Sequence, residues 1–292
     1  MVNQFLAYLS YERNRSLATV SSYRKDLEAF QKFVQAQDPM LLWADVDADL
    51  VRDWMAEMMN EGQRATSINR RLSALRSFYR FALARNLVKS DPVQGVVGPK
   101  KDKPLPQFLK EKEMDELLQE DFWTDCYEDV RDRMIIMTFY ETGIRLAELM
   151  NLCDGDVDFM SGQLKVTGKR NKQRLIPFGA ELSQALQHYM GVRDAQVVRH
   201  SVALFLANDG QQMTADAIRY RVKKHLSLVS TLKKRTPHVL RHTFATAMLN
   251  HKAGIESVKK LLGHESLSTT EIYTHTTFEQ LKREYLNAHP RA

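Results

Sequence analysis

The 292-residue chain predicts a mainly α fold in two domains, an N-terminal four-helix domain and a mostly helical second domain with a small antiparallel β-sheet. Three observations carry that expectation. Apolar residues recur at helical spacing through most of the chain, a stretch rich in proline, glycine and lysine interrupts them near residue 100, and one segment beyond it switches to short strand-like runs between turns. Helical spacing covers Phe5 to Tyr11, Val20 to Val34, Leu50 to Met59 and Ile68 to Leu87, and nothing there alternates like a strand. Asp91-Pro92 then opens a connector with Gly95, Gly98, Pro99, Pro104 and Pro106 among Lys100, Lys101 and Lys103, which resists helix and favours an extended chain. The expected divisions are a first domain at 1–97, a linker at 98–106 and a second domain at 107–292.

Beyond the linker, helical spacing resumes at Glu111 to Gln119 and Val130 to Tyr140, and another helix begins near Arg145 after the break at Gly143. Between Val157 and Pro177 the β-prone runs Leu164-Lys165-Val166 and Arg174-Leu175-Ile176 are punctuated by Asp158-Phe159-Met160-Ser161-Gly162 and Thr167-Gly168-Lys169-Arg170-Asn171. That predicts a small antiparallel sheet carrying a lysine-rich turn. Helices follow at about 180–190, 214–229, 238–250, 255–262, 267–275 and 277–287, with Thr214 and Thr236-Pro237 suited to start two of them.

Composition narrows the function classes. With 43% apolar and 27% charged residues the chain can bury a real core. Lys plus Arg exceeds Asp plus Glu by 42 − 36 = +6, a balance that suits an anionic partner. The longest apolar run, Met134 to Tyr140, falls far short of the roughly 18 residues that cross a bilayer, so no membrane association is expected. The N-terminus reaches Glu12, Arg13 and Arg15 without a sustained apolar stretch, so it does not read as a signal peptide and a cytoplasmic location is expected. Cys126 and Cys153 are too few for a disulfide framework or a cysteine zinc site.

The charge is distributed unevenly. Residues 1–61 hold six basic and ten acidic groups, whereas 62–90 hold seven basic and none acidic. On a helical projection Ile68, Leu72, Leu75, Tyr79 and Leu83 share one arc, and Arg70, Arg71, Arg76, Arg80 and Arg85 occupy the rest. The expectation is a helix that packs with one face and offers guanidinium groups with the other, Arg70, Arg71, Arg76 and Arg80 being candidate DNA contacts. A second acid-free window, Ala217 to Ile255, carries nine Lys or Arg. Two such windows in separate domains suggest a clamp on a polyanion, and without a regular aromatic stacking platform duplex DNA fits better than unpaired strands.

Cutting a phosphodiester without a metal needs cations on the non-bridging oxygens, a nucleophile and a proton donor for the leaving oxygen. Thr142-Gly143-Ile144-Arg145-Leu146-Ala147-Glu148-Leu149 places an arginine after a glycine turn at a helix start, with Glu148 spaced to orient its guanidinium from behind. Gly168-Lys169-Arg170-Asn171-Lys172 puts flexible amines at a turn tip. Pro237-His238-Val239-Leu240-Arg241-His242 starts a helix with His238 and Arg241 one turn apart. Leu261-Leu262-Gly263-His264 ends another, and Tyr273 follows in Ile272-Tyr273-Thr274-His275. His238 and His242 also have the spacing of a zinc pair, but the glutamate of a His-Glu-x-x-His motif is absent and cysteine is scarce, so no metal is expected.

These four motifs, in this order, make the chain similar to the tyrosine recombinases, the phage-integrase-like family, and within it to the XerC/XerD type. The resemblance runs from the four-helix region to His289-Pro290-Arg291-Ala292. It implies a core-binding, SAM-like first domain and a catalytic second domain. It also implies that Arg145, Lys169, His238, Arg241 and His264 surround a scissile phosphate that Tyr273 attacks, forming a 3′-phosphotyrosyl bond without cofactor, metal or ATP. Glu148 and His242 would orient these groups, and Lys172 would contact DNA. The implied partners are a duplex recombination site, a homotetramer or a heterotetramer with a sister recombinase, and the DNA translocase FtsK as activator. The C-terminal helix, with Phe278, Leu281, Tyr285 and Leu286 at apolar spacing, would dock on a neighbouring protomer. A phage or mobile-element integrase shares this chemistry but often adds an arm-binding domain, for which no extension precedes Phe5. A non-catalytic architectural DNA-binding protein, a relaxase and a type IB topoisomerase are the other readings, and the complete set of six residues weighs against the first of these.

Overall fold

Short polar side chains start the helices where the apolar periodicity begins. The computed structural model describes residues 1–101, 106–168, 171–263 and 275–292, with the backbone alone for 275–277. In the first unit, Met1–Pro104, α1 (Val2–Ala7) runs into a π-helical turn at Tyr8–Glu12, followed by α2 (Leu17–Gln37), α3 (Ala48–Asn60) and α4 (Ala65–Ala84). Ser16 Oγ accepts from the Thr19 amide at 3.3 Å and Asp47 from that of Leu50 at 2.8 Å, so α2 and α3 each begin on a capped donor. Their inward faces meet in an aromatic core, where the Phe30 and Trp54 rings lie 4.9 Å apart and those of Trp43 and Phe78 4.6 Å apart. The Asn69 amide of α4 donates to the Pro99 carbonyl at 2.8 Å, so the chain is still tied to this unit within the segment expected to be linker.

The second unit, Leu105–Ala292, is built round α6 (Tyr127–Thr142), which is buried on every side from Met134 to Thr142 and packs against α8 (Ala180–Gln196), α9 (Ala215–Val229) and α10 (Pro237–Asn250). α5 (Glu111–Leu118) packs on α9, and α7 (Leu146–Met150) follows α6 directly. As anticipated, Thr214 Oγ1 caps α9 by accepting from the Ala217 amide, and Pro237 occupies the first turn of α10, where its missing N–H costs nothing. The antiparallel sheet has three strands rather than the two read from sequence: β1 (Val157–Asp158), β2 (Gln163–Thr167) and β3 (Gln173–Pro177), in that spatial order. β1 escaped notice because two residues carry no period. α11 (Ile255–Leu262) and α12 (His275–Ala288) complete the unit, and the helix expected at 267–275 lies outside the described residues except for His275. No helix among the described residues is long and apolar enough to cross a membrane.

Within the single chain, α12 spends much of its apolar stripe on its own unit. Leu281 and Tyr285 are buried and Phe278 is half-buried, while Leu286 stays exposed. His289 stacks on Tyr285 at 5.3 Å, and burial pushes its imidazole down to about 4, so it is neutral there. Beneath this tail sits Glu141, fully buried, with neither carboxylate oxygen hydrogen-bonded among the described residues. Burial, and then the charge of Glu181, hold its pKa well above the ordinary carboxylate value, against the pull of Arg291 and of the nearby Tyr285 hydroxyl, which is not placed to complete a hydrogen bond. A carboxyl whose folded pKa is raised costs nothing below its unfolded pKa, and destabilises increasingly as pH rises toward the folded one. Glu141→Gln is therefore expected to stabilise the protein at pH 8, by about 1–3 kcal/mol, with the gain vanishing near pH 4. Thermal melts of both proteins across that range check it, and a gain independent of pH would contradict the assignment.

Candidate active site

Two left-handed helix ends create the site. α6 stops at Gly143 (φ 58°) and α11 at Gly263 (φ 67°). A Cβ on Gly143 would lie 2.5 Å from the Phe244 ring and 2.9 Å from a Leu262 methyl, so only glycine lets the end of α6 approach α10 and α11 this closely. Arg145 then occupies the cap position of α7. Its backbone amide donates to Glu148 Oε2 and its Nη1 to Oε1, both at 2.8 Å. Glu148 thus stands behind the guanidinium as its three-residue spacing predicted. The same carboxylate receives a second fork, from Arg174 of β3, whose Nη1 and Nη2 donate to Oε1 and Oε2 at 2.9 Å each. Burial alone would raise the Glu148 pKa, but Arg174 and then Arg145 outweigh it and hold it at about 2.

The last carbonyls of a helix lack intrahelical partners and carry the negative end of its dipole. In α11 and the glycine after it, three of them are taken in succession by arginines. Arg174 Nε donates to Leu261 O at 2.9 Å, Arg241 Nη2 to Leu262 O at 2.7 Å and Arg145 Nη2 to Gly263 O at 2.9 Å. Arg241 Nη1 also reaches Gly143 O at 2.7 Å, joining the ends of α6 and α11 through one guanidinium. Burial, followed by repulsion from Arg145 and Arg174, lowers the Arg241 pKa to about 10, which still leaves it charged at neutral pH. Arg145 and Arg174 share one carboxylate and Arg241 lies beside them on two carbonyls, so the cluster carries a net positive charge, and Arg145, about a third exposed, opens it to solvent.

His238 lies one turn before Arg241 on α10, and its pKa is lowered by desolvation first and then by the charges of His242, Arg241 and Arg145. The His242 ring stacks 6.4 Å from it and stands exposed. Lys172 is exposed beside β3, its carbonyl accepting from the Gly168 amide at 2.8 Å. Lys169, His264 and Tyr273 lie outside the described residues.

Sequence reading gave Arg174 no role at the site, although it closes the Gly-Lys-x-Asn-Lys-x-Arg turn as well as opening a β-prone run. The signal was strand alternation: Arg174 pairs across the ladder with Val166, two positions from the Leu164–Ile176 pair, so it sits on the face those apolar residues bury. A charged residue on a buried strand face needs a partner, and Glu148 is that partner.

In the first unit α4 divides its arginines unequally. Arg80 and Arg85 are exposed, Arg85 pairing with Glu12 at 2.9 Å, and Arg70 is half-exposed while bonding Asp26 and Ser22. Arg71 and Arg76 are not free cations of an outer face, as the projection suggested. Arg71 lies over the Trp54 ring at 5.9 Å and reaches Met58 Sδ at 3.2 Å, and Arg76 Nη2 donates to Val96 O at 2.7 Å. At 100° per residue Arg71 and Arg76 fall only about 80° and 60°, respectively, from the centre of the apolar arc, close enough to be drawn into packing. Leu83, placed on that arc, is 42% exposed because the core ends before the last turn of α4.

Comparison with known proteins places this architecture in a class. Residues 107–280 match the phage integrase family and residues 2–86 its N-terminal SAM-like domain. The fold is similar to that of XerH site-specific recombinase bound to difH substrate (TM-score 0.70, 21% identity, covering 97% of this chain and 83% of that one). It is also similar to the Tn1549 transposon integrase in complex with circular intermediate DNA (TM-score 0.71, 20% identity, 96% and 98%). The chain belongs to the phage integrase family, the tyrosine recombinases, and is a site-specific recombinase. Within that class, a tyrosine recombinase XerC of Pelotomaculum thermopropionicum is 39% identical over 100% of this chain and 98% of its own length. One of Listeria welshimeri is 37% identical over 99% and 97%.

Proposed function

We propose that the protein breaks and rejoins duplex DNA through a covalent bond to Tyr273, in an Xer-type reaction that resolves chromosome dimers. The observation that carries the chemistry is the convergence of Arg145 and Arg241 on neighbouring carbonyls at the end of α11, although they come from different helix starts. A phosphodiester seated there would meet N–H groups on both guanidiniums, whose hold strengthens as charge grows on the non-bridging oxygens in the pentacovalent state. A phenol has a pKa near 10, so Tyr273 must lose its proton as it attacks. His238, whose surroundings lower its pKa and so favour the neutral imidazole, is the group assigned to accept it. The new bond joins the tyrosine oxygen to phosphorus, the bond to the 5′ oxygen breaks, and Lys169 supplies the proton that oxygen needs. His264 donates to the same non-bridging oxygens. The phosphotyrosine conserves the bond energy, so the 5′-hydroxyl of a partner strand reseals the backbone without ATP.

The Xer assignment is supported by full-length similarity to proteins named XerC. Exchange between two duplexes needs four protomers, either all of this chain or shared with a sister recombinase, with the C-terminal helix as the linking element. Leu286, exposed on α12, is the part of its stripe still available to a neighbour. Arg70, Arg80 and Lys172 are the candidate DNA contacts that remain outward, and FtsK in the cytoplasm is the activator such a role implies. Incubation with nicked suicide duplexes carrying candidate sites tests the reading. The expected result is a covalent protein–DNA adduct whose DNA maps by proteolysis to the peptide containing Tyr273. An adduct on another residue removes the nucleophile, and none on any site leaves a binding protein.

A further inference from the structure

We propose that Arg174 is a positioning residue of this reaction, one that holds Glu148 away from full pairing with Arg145 and so keeps the Arg145 charge available to the phosphate. The inference rests on the reading under Proposed function and deepens it. Glu148 has two oxygens, and Arg174 occupies both with a fork, leaving Arg145 a single guanidinium contact on Oε1. A carboxylate shared in this way neutralises neither arginine completely. Arg174 is itself spent: Nε on Leu261 O, Nη1 and Nη2 on Glu148, and its side chain only 8% exposed, so it does not reach a substrate. Without it, Glu148 would be free to swing onto Arg145 as a bidentate pair and cancel one of the two phosphate-facing charges. The same loss would release the first of the three carbonyls at the end of α11 while Arg241 and Arg145 kept the other two.

A merely structural role predicts lost stability, whereas a role exercised through Glu148 predicts that the damage depends on the Glu148 charge. Single-turnover adduct formation at saturating protein, duplex affinity by gel shift and thermal melting would be measured for Arg174→Gln, Arg174→Lys, Glu148→Gln and the Arg174→Gln/Glu148→Gln double variant. Arg174→Gln is expected to cleave about a hundredfold more slowly with affinity changed less than about threefold. Arg174→Lys should recover about tenfold of that loss, because an ammonium neutralises Glu148 but cannot fork it and reach Leu261 together. In the Glu148→Gln background the Arg174→Gln change should cost less than about fivefold. Unimpaired cleavage by Arg174→Gln overturns the proposal, as does an equal loss with and without the Glu148 charge. Should Arg174→Gln not fold, parent-like cleavage by Arg174→Lys overturns it instead. A parent protein that forms no adduct removes the proposed function and this inference together, whereas an active parent with an unaffected Arg174→Gln removes only the inference.

Discussion

Arg241→Ala is expected to lower adduct formation by about three orders of magnitude, the scale set by removing a donor that stabilises transition-state charge, and to destabilise the second unit as well. The side chain is buried and ties Gly143 O to Leu262 O. Truncation leaves two buried acceptors unmatched, at about 1–3 kcal/mol each. Arg241→Lys separates the two effects. The surroundings of Arg241 lower its pKa from 12.5 to about 10. The same environment acting on a lysine, with an ordinary value near 10.4, would bring it to about 8. A cation with a depressed pKa loses its charge as pH rises, so the lysine variant should retain partial cleavage at pH 6.5 and lose it through pH 8–9. The parent protein should show no such fall in that range. Single-turnover rates at both pH values check this, and a lysine variant with the parent's pH profile would show that burial and the neighbouring arginines do not depress the charge at position 241. Burial, and then this repulsion, are the physical reason an arginine is needed where three cations crowd one helix end.

What was legible in the sequence follows the range of the forces involved. Helix starts at Thr214 and Pro237, the glycine stop at Gly143 and the Arg145–Glu148 pair are local arrangements, and local spacing specifies them. The mainly α architecture with a small sheet was readable for the same reason, since amphipathic periods repeat along each element. Arg174 was not, because its partners Glu148 and Leu261 come from other elements and only the tertiary fold brings them together. The arginines of α4 show the converse limit. A helical projection gave their directions correctly, but whether Arg71 and Arg76 served solvent or packing was decided by Trp54 and Val96 on other segments. The stripe on α12 likewise announced a binding face without saying whose, and within the chain Leu281 and Tyr285 bind their own unit. Lys169, His264 and Tyr273 entered through motif resemblance, and lie outside the described residues.

Glu148→Ala should strongly destabilise the second unit. It removes the one carboxylate that Arg145 and Arg174 share and leaves Arg174 buried without a counter-charge beside Arg241. Breaking a buried pair from one side costs about 3–5 kcal/mol. The lower end applies here because Arg145, a third exposed, can turn to water. Glu148→Gln keeps the shape and loses the charge, which makes it the variant for a pH test. The folded pKa of Glu148 is about 2 against an ordinary 4.5. Its ionisation therefore contributes about 3 kcal/mol of stability, fully present above pH 4.5 and lost as pH falls toward 2. The melting temperatures of the parent and Glu148→Gln should differ most at pH 5–7 and converge as the parent is acidified toward pH 2.5. A gap that stayed constant over that range would mean the carboxylate is not held ionised by its two arginines. Binding and cleavage should also part company. Losing a negative charge makes the cluster more cationic, so duplex affinity is maintained or tightened. Cleavage falls, because the Arg145 guanidinium, no longer held from behind, spends its time in orientations that miss the phosphate.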